Sequence, residues 1–250
     1  MKKKYSLKQN DKKISTSIKK TKKNTDRLLK VNVKTAKGRK ISSTNWLRRQ
    51  LNDPYVKLAK ERGYRSRAAF KLLEINEKFH IFKFGDSVID LGCAPGGWSQ
   101  VAVEKTNSNL DKLKEKQGRV IGIDLKPILS INGAEIYILD FLEDNFEKEI
   151  GEILNHKVDN ILSDMASNST GHKKSDHLKI MALCESAAFF AFNYLNEGGN
   201  FVAKVLAGGA EMELQNLLKK KFKKVINFKP NSSRSDSSEK YVVALKFKKD

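Results

Sequence analysis

Residues 87–97 read SVIDLGCAPGG: a short β-branched run, Ser87–Leu91, breaks directly into a loop with glycines at 92, 96 and 97. A strand, a glycine turn and then a helix headed by Trp98 is the opening unit of an alternating α/β fold. Downstream, β-branched runs recur at Arg119–Asp124, Glu135–Leu139, Asn160–Asp164 and Asn200–Leu206, with helix-like segments between most of them. That rhythm predicts a parallel sheet with helices on both faces. Two more runs, Lys224–Phe228 and Lys240–Phe247, follow a helix predicted at Glu211–Lys220. The Pro/Ser-rich stretch joining them is too short for a crossover helix, so the last strand should run antiparallel. The expected architecture is α/β, with a seven-stranded, mostly parallel sheet. Upstream, Pro54 can open a helix through Arg62, and Ser66 can cap a second, Arg67–Phe79, whose apolar stripe is Leu72, Ile75 and Phe79.

The chain has 250 residues, and 39% hydrophobic content is enough to build one medium core. No apolar run approaches the roughly 18 residues of a membrane span, and the Lys-rich start lacks an apolar segment of the secretory kind. Two cysteines, Cys93 and Cys184, make neither a disulfide framework nor a Cys-x-x-Cys metal site. No metal, no membrane, a cytoplasmic location and a monomer are therefore expected. The net charge is +20, and residues 1–40 hold 14 Lys and 2 Arg against Asp11 and Asp26, so 14 of those charges lie in the first 40 residues. Residues 1–41 are too polar to bury a core and read as a disordered basic arm, a nonspecific phosphate clamp or a solvated tail; residues 42–250 form the folded domain. A polyanionic partner is expected.

In an open α/β sheet, ligands bind outside the carboxyl ends of the strands. Asp90 precedes the glycine loop, Asp124 closes the second strand, Asp140 follows the third, Asp164 closes the fourth and Lys204 lies near the end of the fifth. One such aspartate is an ordinary helix cap, but four in register mark a site. The loop is neither Gly-x-Gly-x-x-Gly nor a P-loop, which favours an adenosine-type ligand without a phosphate cradle, and Asp124 stands where an acid accepts both ribose hydroxyls. Lys204, inside FVAKVL, falls in a run that a parallel sheet buries on both faces. It is either half of a structural ion pair with Asp164 or a general base, which burial and a neighbouring cation such as Lys71 would favour. Glu239 opens the antiparallel strand and so reaches the same edge. A Lys, Asp, Lys, Glu group beside a nucleoside site suits removal of a hydroxyl proton.

Six blocks now stand in order: SSTNWLRRQLNDPYV (42–56), GYRSRAAFKLLEI (63–75), VIDLGCAPGGWSQVA (88–102), SDMASN (163–168), FVAKV (201–205) and SSRSDSSEKYVVA (232–244). In these the chain resembles the FtsJ/RrmJ family of S-adenosylmethionine-dependent rRNA 2′-O-ribose methyltransferases. The resemblance implies a Rossmann-like methyltransferase fold and a cofactor, S-adenosylmethionine, held by Gly96, Trp98, Asp124, Asp140 and Asp164. It implies a catalytic group of Lys71, Asp164, Lys204 and Glu239, with Lys204 as proton acceptor. The implied substrate is a uridine ribose in the A-loop of 23S rRNA, within the 50S subunit. Arg48, Arg49, Arg65, Arg67 and Arg234 are candidates for phosphate contact, and Tyr64 or Phe70 for stacking, with ordinary packing the stronger reading for Phe70. His172 and His177 read as loop residues near the RNA, and Cys93 as a packed thiol. Ser167 stands where many relatives carry Pro, and Thr106–Gln117 reads as a polar insertion. The competing readings are an enzyme of the same type acting on a tRNA, a cap or an organelle rRNA, and a non-catalytic ribosome-assembly protein.

Overall fold

The computed structural model describes residues 31–33, 35, 37–109, 117–167, 171–207 and 211–249. The expected arm of residues 1–41 falls mostly outside these, as does the middle of the expected insertion at 106–117.

The chain divides into two compact units, 1–67 and 68–250. The first holds helices α1 (Ile41–Leu51) and α2 (Pro54–Glu61). Pro54 fills the first position of α2, where its missing N–H costs nothing, and Asp53 caps the helix by accepting from the Tyr55 N–H at 3.0 Å. Helix α1 was not foreseen, and none of its residues is buried.

The second unit carries α3 (Ala69–Phe79), β1 (Ser87–Leu91), α4 (Gly97–Thr106), β2 (Arg119–Asp124), β3 (Ala134–Ile138), α5 (Phe146–Ile153) and β4 (Val158–Ser163). It continues with α6 (Lys173–Tyr194), β5 (Leu195–Leu206), α7 (Glu211–Lys221), β6 (Phe222–Phe228) and β7 (Glu239–Phe247). The seven strands form one sheet in the order β3-β2-β1-β4-β5-β7-β6. β1 to β5 pair in parallel, and β7 runs antiparallel to both β5 and β6. This is the expected α/β architecture, a seven-stranded, mostly parallel sheet with an antiparallel last strand. Two boundaries moved for physical reasons. Ser66 does not cap α3, which begins at Ala69 without a side-chain cap. β5 starts five residues early because the register between β4 and β5 shifts around Gly198, whose φ of 81° a side chain would resist.

Strand alternation sorts the two faces. One face of the sheet packs Leu91, Ile123, Ile161, Phe201, Ala203 and Val205 against α5, α6 and α7, whose Phe146, Ile150, Cys184, Ala187, Ala188, Ala191 and Leu218 are all buried. The opposite face presents Val88, Asp90, Leu162, Val202, Lys204 and Tyr241. Lys204 and Tyr241 face each other across β5 and β7 by register. His177 lies within α6 rather than in a loop, correcting the expectation for it; the helix begins at Lys173.

Candidate active site

Because β1, β2, β4 and β5 run parallel, their carboxyl ends share one edge, and β7 enters the sheet at that edge through Glu239. The first strand passes into its loop through Gly92, whose φ of 74° and closeness to Met165 leave no room for a side chain. The loop is tied back by Gly92 N–H and Cys93 N–H, both donating to the Ile123 carbonyl at 2.8 and 3.1 Å. Asp124 binds this loop from the neighbouring strand, its Oδ2 accepting from the Ala94 N–H at 2.8 Å and its Oδ1 from the Lys126 N–H at 2.9 Å. Each oxygen retains a lone pair for a further donor. Asp140 accepts from the Leu142 N–H at 2.9 Å in the turn after β3.

Lys71, Asp164, Lys204 and Glu239 meet in one network. Lys204 Nζ lies 3.0 Å from Asp164 Oδ1, donates to the Asp164 carbonyl at 2.6 Å and reaches the Met165 carbonyl at 3.4 Å. Lys71 Nζ lies 2.6 Å from Glu239 Oε1. Between the two ion pairs stands Tyr241, which sequence reasoning missed. Its hydroxyl is 2.9 Å from Asp164 Oδ1 and 3.2 Å from Glu239 Oε1, and it accepts from Lys71 Nζ at 3.1 Å. The signal was available, since Tyr241 lies two residues beyond Glu239 on one strand and so shares its face.

The electrostatics follow from burial and neighbours. Burial alone would raise the Asp164 carboxyl, but the ammonium groups of Lys204 and Lys71, with hydrogen bonds from Lys204 and Tyr241, outweigh it and hold the carboxyl below its ordinary range. The Tyr241 phenol moves far upward, first through burial and then through the charges of Asp164 and Glu239, so it keeps its proton and remains a donor. Asp90, fully buried on the same face, accepts from the Ser99 hydroxyl at 2.6 Å through Oδ2. Its Oδ1 has no hydrogen-bond donor among the described residues. Burial, with smaller contributions from the Asp164 and Asp124 charges, pushes this carboxyl up to about 7 against the Ser99 hydrogen bond. Burial likewise drives the Cys93 thiol upward, consistent with a packed side chain rather than a nucleophile.

Other expected residues fall differently. The Trp98 side chain is buried, its indole N–H donates to the Ala68 carbonyl at 2.9 Å and its ring packs 5.4 Å from Tyr241. Trp98 can therefore offer a ligand only its backbone, beside Gly96 at the start of α4. Phe70 is fully buried, so it packs in the core and does not stack on a base. In the first unit, Arg48 and Arg49 are exposed in the last turn of α1, whereas Arg67 is ion-paired with Asp53 and sits over the Tyr55 ring. Arg65 is half-buried in that unit, and Arg234 is half-buried in the β6–β7 connection. Among the described residues, no cluster of His, Cys, Asp and Glu could hold a metal ion, and no helix is long and apolar enough to cross a membrane.

Comparison with known proteins places this geometry. The model of the FtsJ-like methyltransferase family matches residues 64–247. The chain is 60% identical over 220 residues to the ribosomal RNA large subunit methyltransferase E of Ruegeria pomeroyi, covering 88% of this chain and 94% of that one. It is 53% identical over 215 residues to the protein of that name from Rickettsia akari, covering 86% and 93%. Among solved structures, a Plasmodium falciparum protein described as a ribosomal RNA methyltransferase superposes with a TM-score of 0.64 at 34% identity, over 74% of this chain and 98% of that one.

Proposed function

The chain belongs to the FtsJ-like methyltransferase family, and on that footing we propose that it methylates the 2′-oxygen of a uridine ribose in the A-loop of 23S rRNA, using S-adenosylmethionine and taking the 50S subunit as substrate. The observation that carries this reading is the network itself: two lysines and two carboxylates, joined through one phenol, at the carboxyl edge of the sheet beside the Asp124 loop.

The edge suits the cofactor. Asp124 keeps lone pairs for a pair of ribose hydroxyls, and Asp124 and Asp164 set negative charge at this edge, close enough to help raise the Asp90 carboxyl. A cationic nucleoside complements such an edge. Gly96, Trp98, Asp124, Asp140 and Asp164 would hold it, Trp98 through its backbone. Once bound, S-adenosylmethionine supplies an electrophilic methyl group on a positively charged sulfur.

The protein's own task is to orient the ribose and to take its proton as the oxygen attacks. Lys204 is the proton acceptor. As an ammonium it has an acceptor for each of its three N–H groups, in Asp164 Oδ1 and the carbonyls of Asp164 and Met165. As an amine it gives up one of these and turns a lone pair toward the 2′-hydroxyl. Asp164 then stabilises the ammonium that forms when the proton arrives. Lys71, fixed by Glu239 and Tyr241, places a second positive charge where the oxygen becomes negative. Arg48, Arg49, Arg65 and Arg234, together with the charge carried by residues 1–40, contact RNA phosphates.

The test is transfer of labelled methyl from S-adenosylmethionine to 50S subunits lacking 2′-O-methylation, comparing wild type with Lys204→Ala and mapping the product. One labelled A-loop uridine with wild type, and none with a variant that still binds cofactor, is the expected result. Cofactor binding lost together with transfer would make Lys204 structural. No transfer by a wild type that binds cofactor would move the substrate to another RNA.

A further inference from the structure

The edge of the sheet opposite the catalytic one, at the start of β6 and the end of β7, carries a concentration of lysine that the reaction does not use. Helix α7 ends in Lys219, Lys220 and Lys221, edge strand β6 continues with Lys223 and Lys224, and β7 finishes with Lys246 before Lys248 and Lys249. No acidic residue occurs between Glu213 and Asp236, or between Glu239 and Asp250. Lys248 is occupied structurally, its ammonium donating to the carbonyls of Lys219 and Lys220 at 3.1 and 3.0 Å and closing the end of α7. Lys219, Lys220, Lys223, Lys224, Lys246 and Lys249 are exposed, and among the described residues none of the six has a carboxylate within ion-pairing distance.

Two ordinary reasons for surface lysine account for part of this. Cations favour a helix C-terminus, and lysines on an edge strand block pairing with another chain. Neither accounts for lysines gathered from α7, β6 and the end of β7 at one place. Phe222 pairs with Phe247 and Lys224 with Leu245, which brings the backbones of Lys223 and Lys246 alongside each other at the end of the ladder. Lys246 also adopts a φ of 59°, unusual for a residue with a side chain. The lysines stand on a stiff base, because Phe222, Phe247, Phe201 and Phe192 pack together beneath them with ring centroids 5.3–6.5 Å apart. Exposed ammonium groups without a carboxylate partner, carried on such a base, suit a polyanion.

We propose that Lys219, Lys220, Lys223, Lys224, Lys246 and Lys249 form a second phosphate-contacting surface for RNA, engaging a segment of the substrate other than the one whose ribose is methylated. This rests on the reading of the substrate as ribosomal RNA. Separation supports a second segment: from Glu239 to Lys246 the strand advances seven residues, roughly 23 Å at about 3.3 Å each. A nucleotide seated at the catalytic edge therefore cannot itself touch the patch. A membrane surface is disfavoured, since no large hydrophobic residue among 219–228 or 245–249 is exposed to accompany the charge.

The experiment compares the full chain with a variant in which Lys219, Lys220, Lys223 and Lys224 become Gln, and with a second in which they become Arg. Affinity for 50S subunits is measured from 50 to 200 mM KCl, with thermal melting and S-adenosylmethionine binding confirming the fold. If the four lysines contact duplex phosphates, wild-type affinity falls over that range by roughly 100-fold more than that of the Gln variant, and the Arg variant follows wild type. The Gln variant should also show a raised KM for subunits with kcat retained. Equal salt slopes for all three proteins would overturn the proposal and leave the patch as edge protection. Methyl transfer by wild type is scored separately, so an altered slope without any transfer counts against the functional reading and in favour of the patch.

Discussion

Replacing Asp90 with Asn should abolish a pH dependence of stability that the fold builds in. Asp90 is fully buried, one oxygen accepts from Ser99 and the other has no donor among the described residues, and its carboxyl is pushed up to about 7, chiefly by burial. In the unfolded chain an aspartate titrates near 3.9. Between these values the native state holds a proton that the unfolded state has released, so the free energy of unfolding falls as pH rises. The stability present below about pH 4 is lost by the time pH passes 7. A separation of about 3 pH units corresponds to about 4 kcal/mol over the whole window, and roughly 2.5 kcal/mol of it lies between pH 5 and 8. Asparagine has the shape of the protonated acid, can still accept from Ser99 and does not titrate. Urea denaturation of both proteins without cofactor, at intervals from pH 5 to 8, isolates the effect because every other titrating group is shared. The stability of Asp90→Asn should rise relative to wild type by roughly 2–3 kcal/mol from pH 5 to 8, whatever the offset at any single pH. Parallel curves across that range would refute the reasoning and show that Asp90 ionises without penalty.

Two further substitutions probe the site. Tyr241→Phe keeps the ring against Trp98 but removes the hydroxyl joining Asp164, Glu239 and Lys71; hydrogen bonds to charged groups are worth about 1.5–3 kcal/mol, so kcat should fall roughly 10- to 100-fold, with KM for cofactor nearly unchanged and the fold retained by circular dichroism. Wild-type kcat would show the hydroxyl to be a bystander. Gly92→Ala places a methyl 2.7 Å from Met165 Cγ and 2.9 Å from Met165 Cα at a φ of 74°, whereas Gly198→Ala, at a φ of 81°, meets nothing within 4 Å. Backbone strain is common to both, so Gly92→Ala should be less stable than Gly198→Ala by a further 1–3 kcal/mol, about the cost of overpacking, and equal melting temperatures would contradict this.

Residues 87–97 and the strands after them were legible because β-branched runs and glycine punctuation are local signals; β1 and β2 begin and end where the sequence placed them. The aspartates at strand ends could also be read, since a parallel sheet puts every carboxyl end on one edge. Helix α1 was not legible: it has no buried face, and only such a face leaves a periodic apolar stripe. The long start of β5 was missed for another reason, because Gly198 and Gly199 look like a turn until the neighbouring strand pairs with the residues on either side.

What the sequence determined by itself was the order of strands and helices, the edge on which polar residues gather, and the types of residue gathered there. What only the tertiary structure decided was partnership. The sequence left Lys204 as either half of an ion pair or a base, and could not say what joined it to Lys71, 133 residues away. The pairing of β5 with β7 sets Tyr241 opposite Lys204 and so turns two ion pairs into one network, just as the same strand's pairing with β6 brings the lysines of β6 to the end of β7. Such encounters depend on register between segments distant in sequence. Local propensity does not encode that register; the packing of both sheet faces fixes it, because a slip of one residue would turn Tyr241 and Val243 toward the wrong side of the sheet.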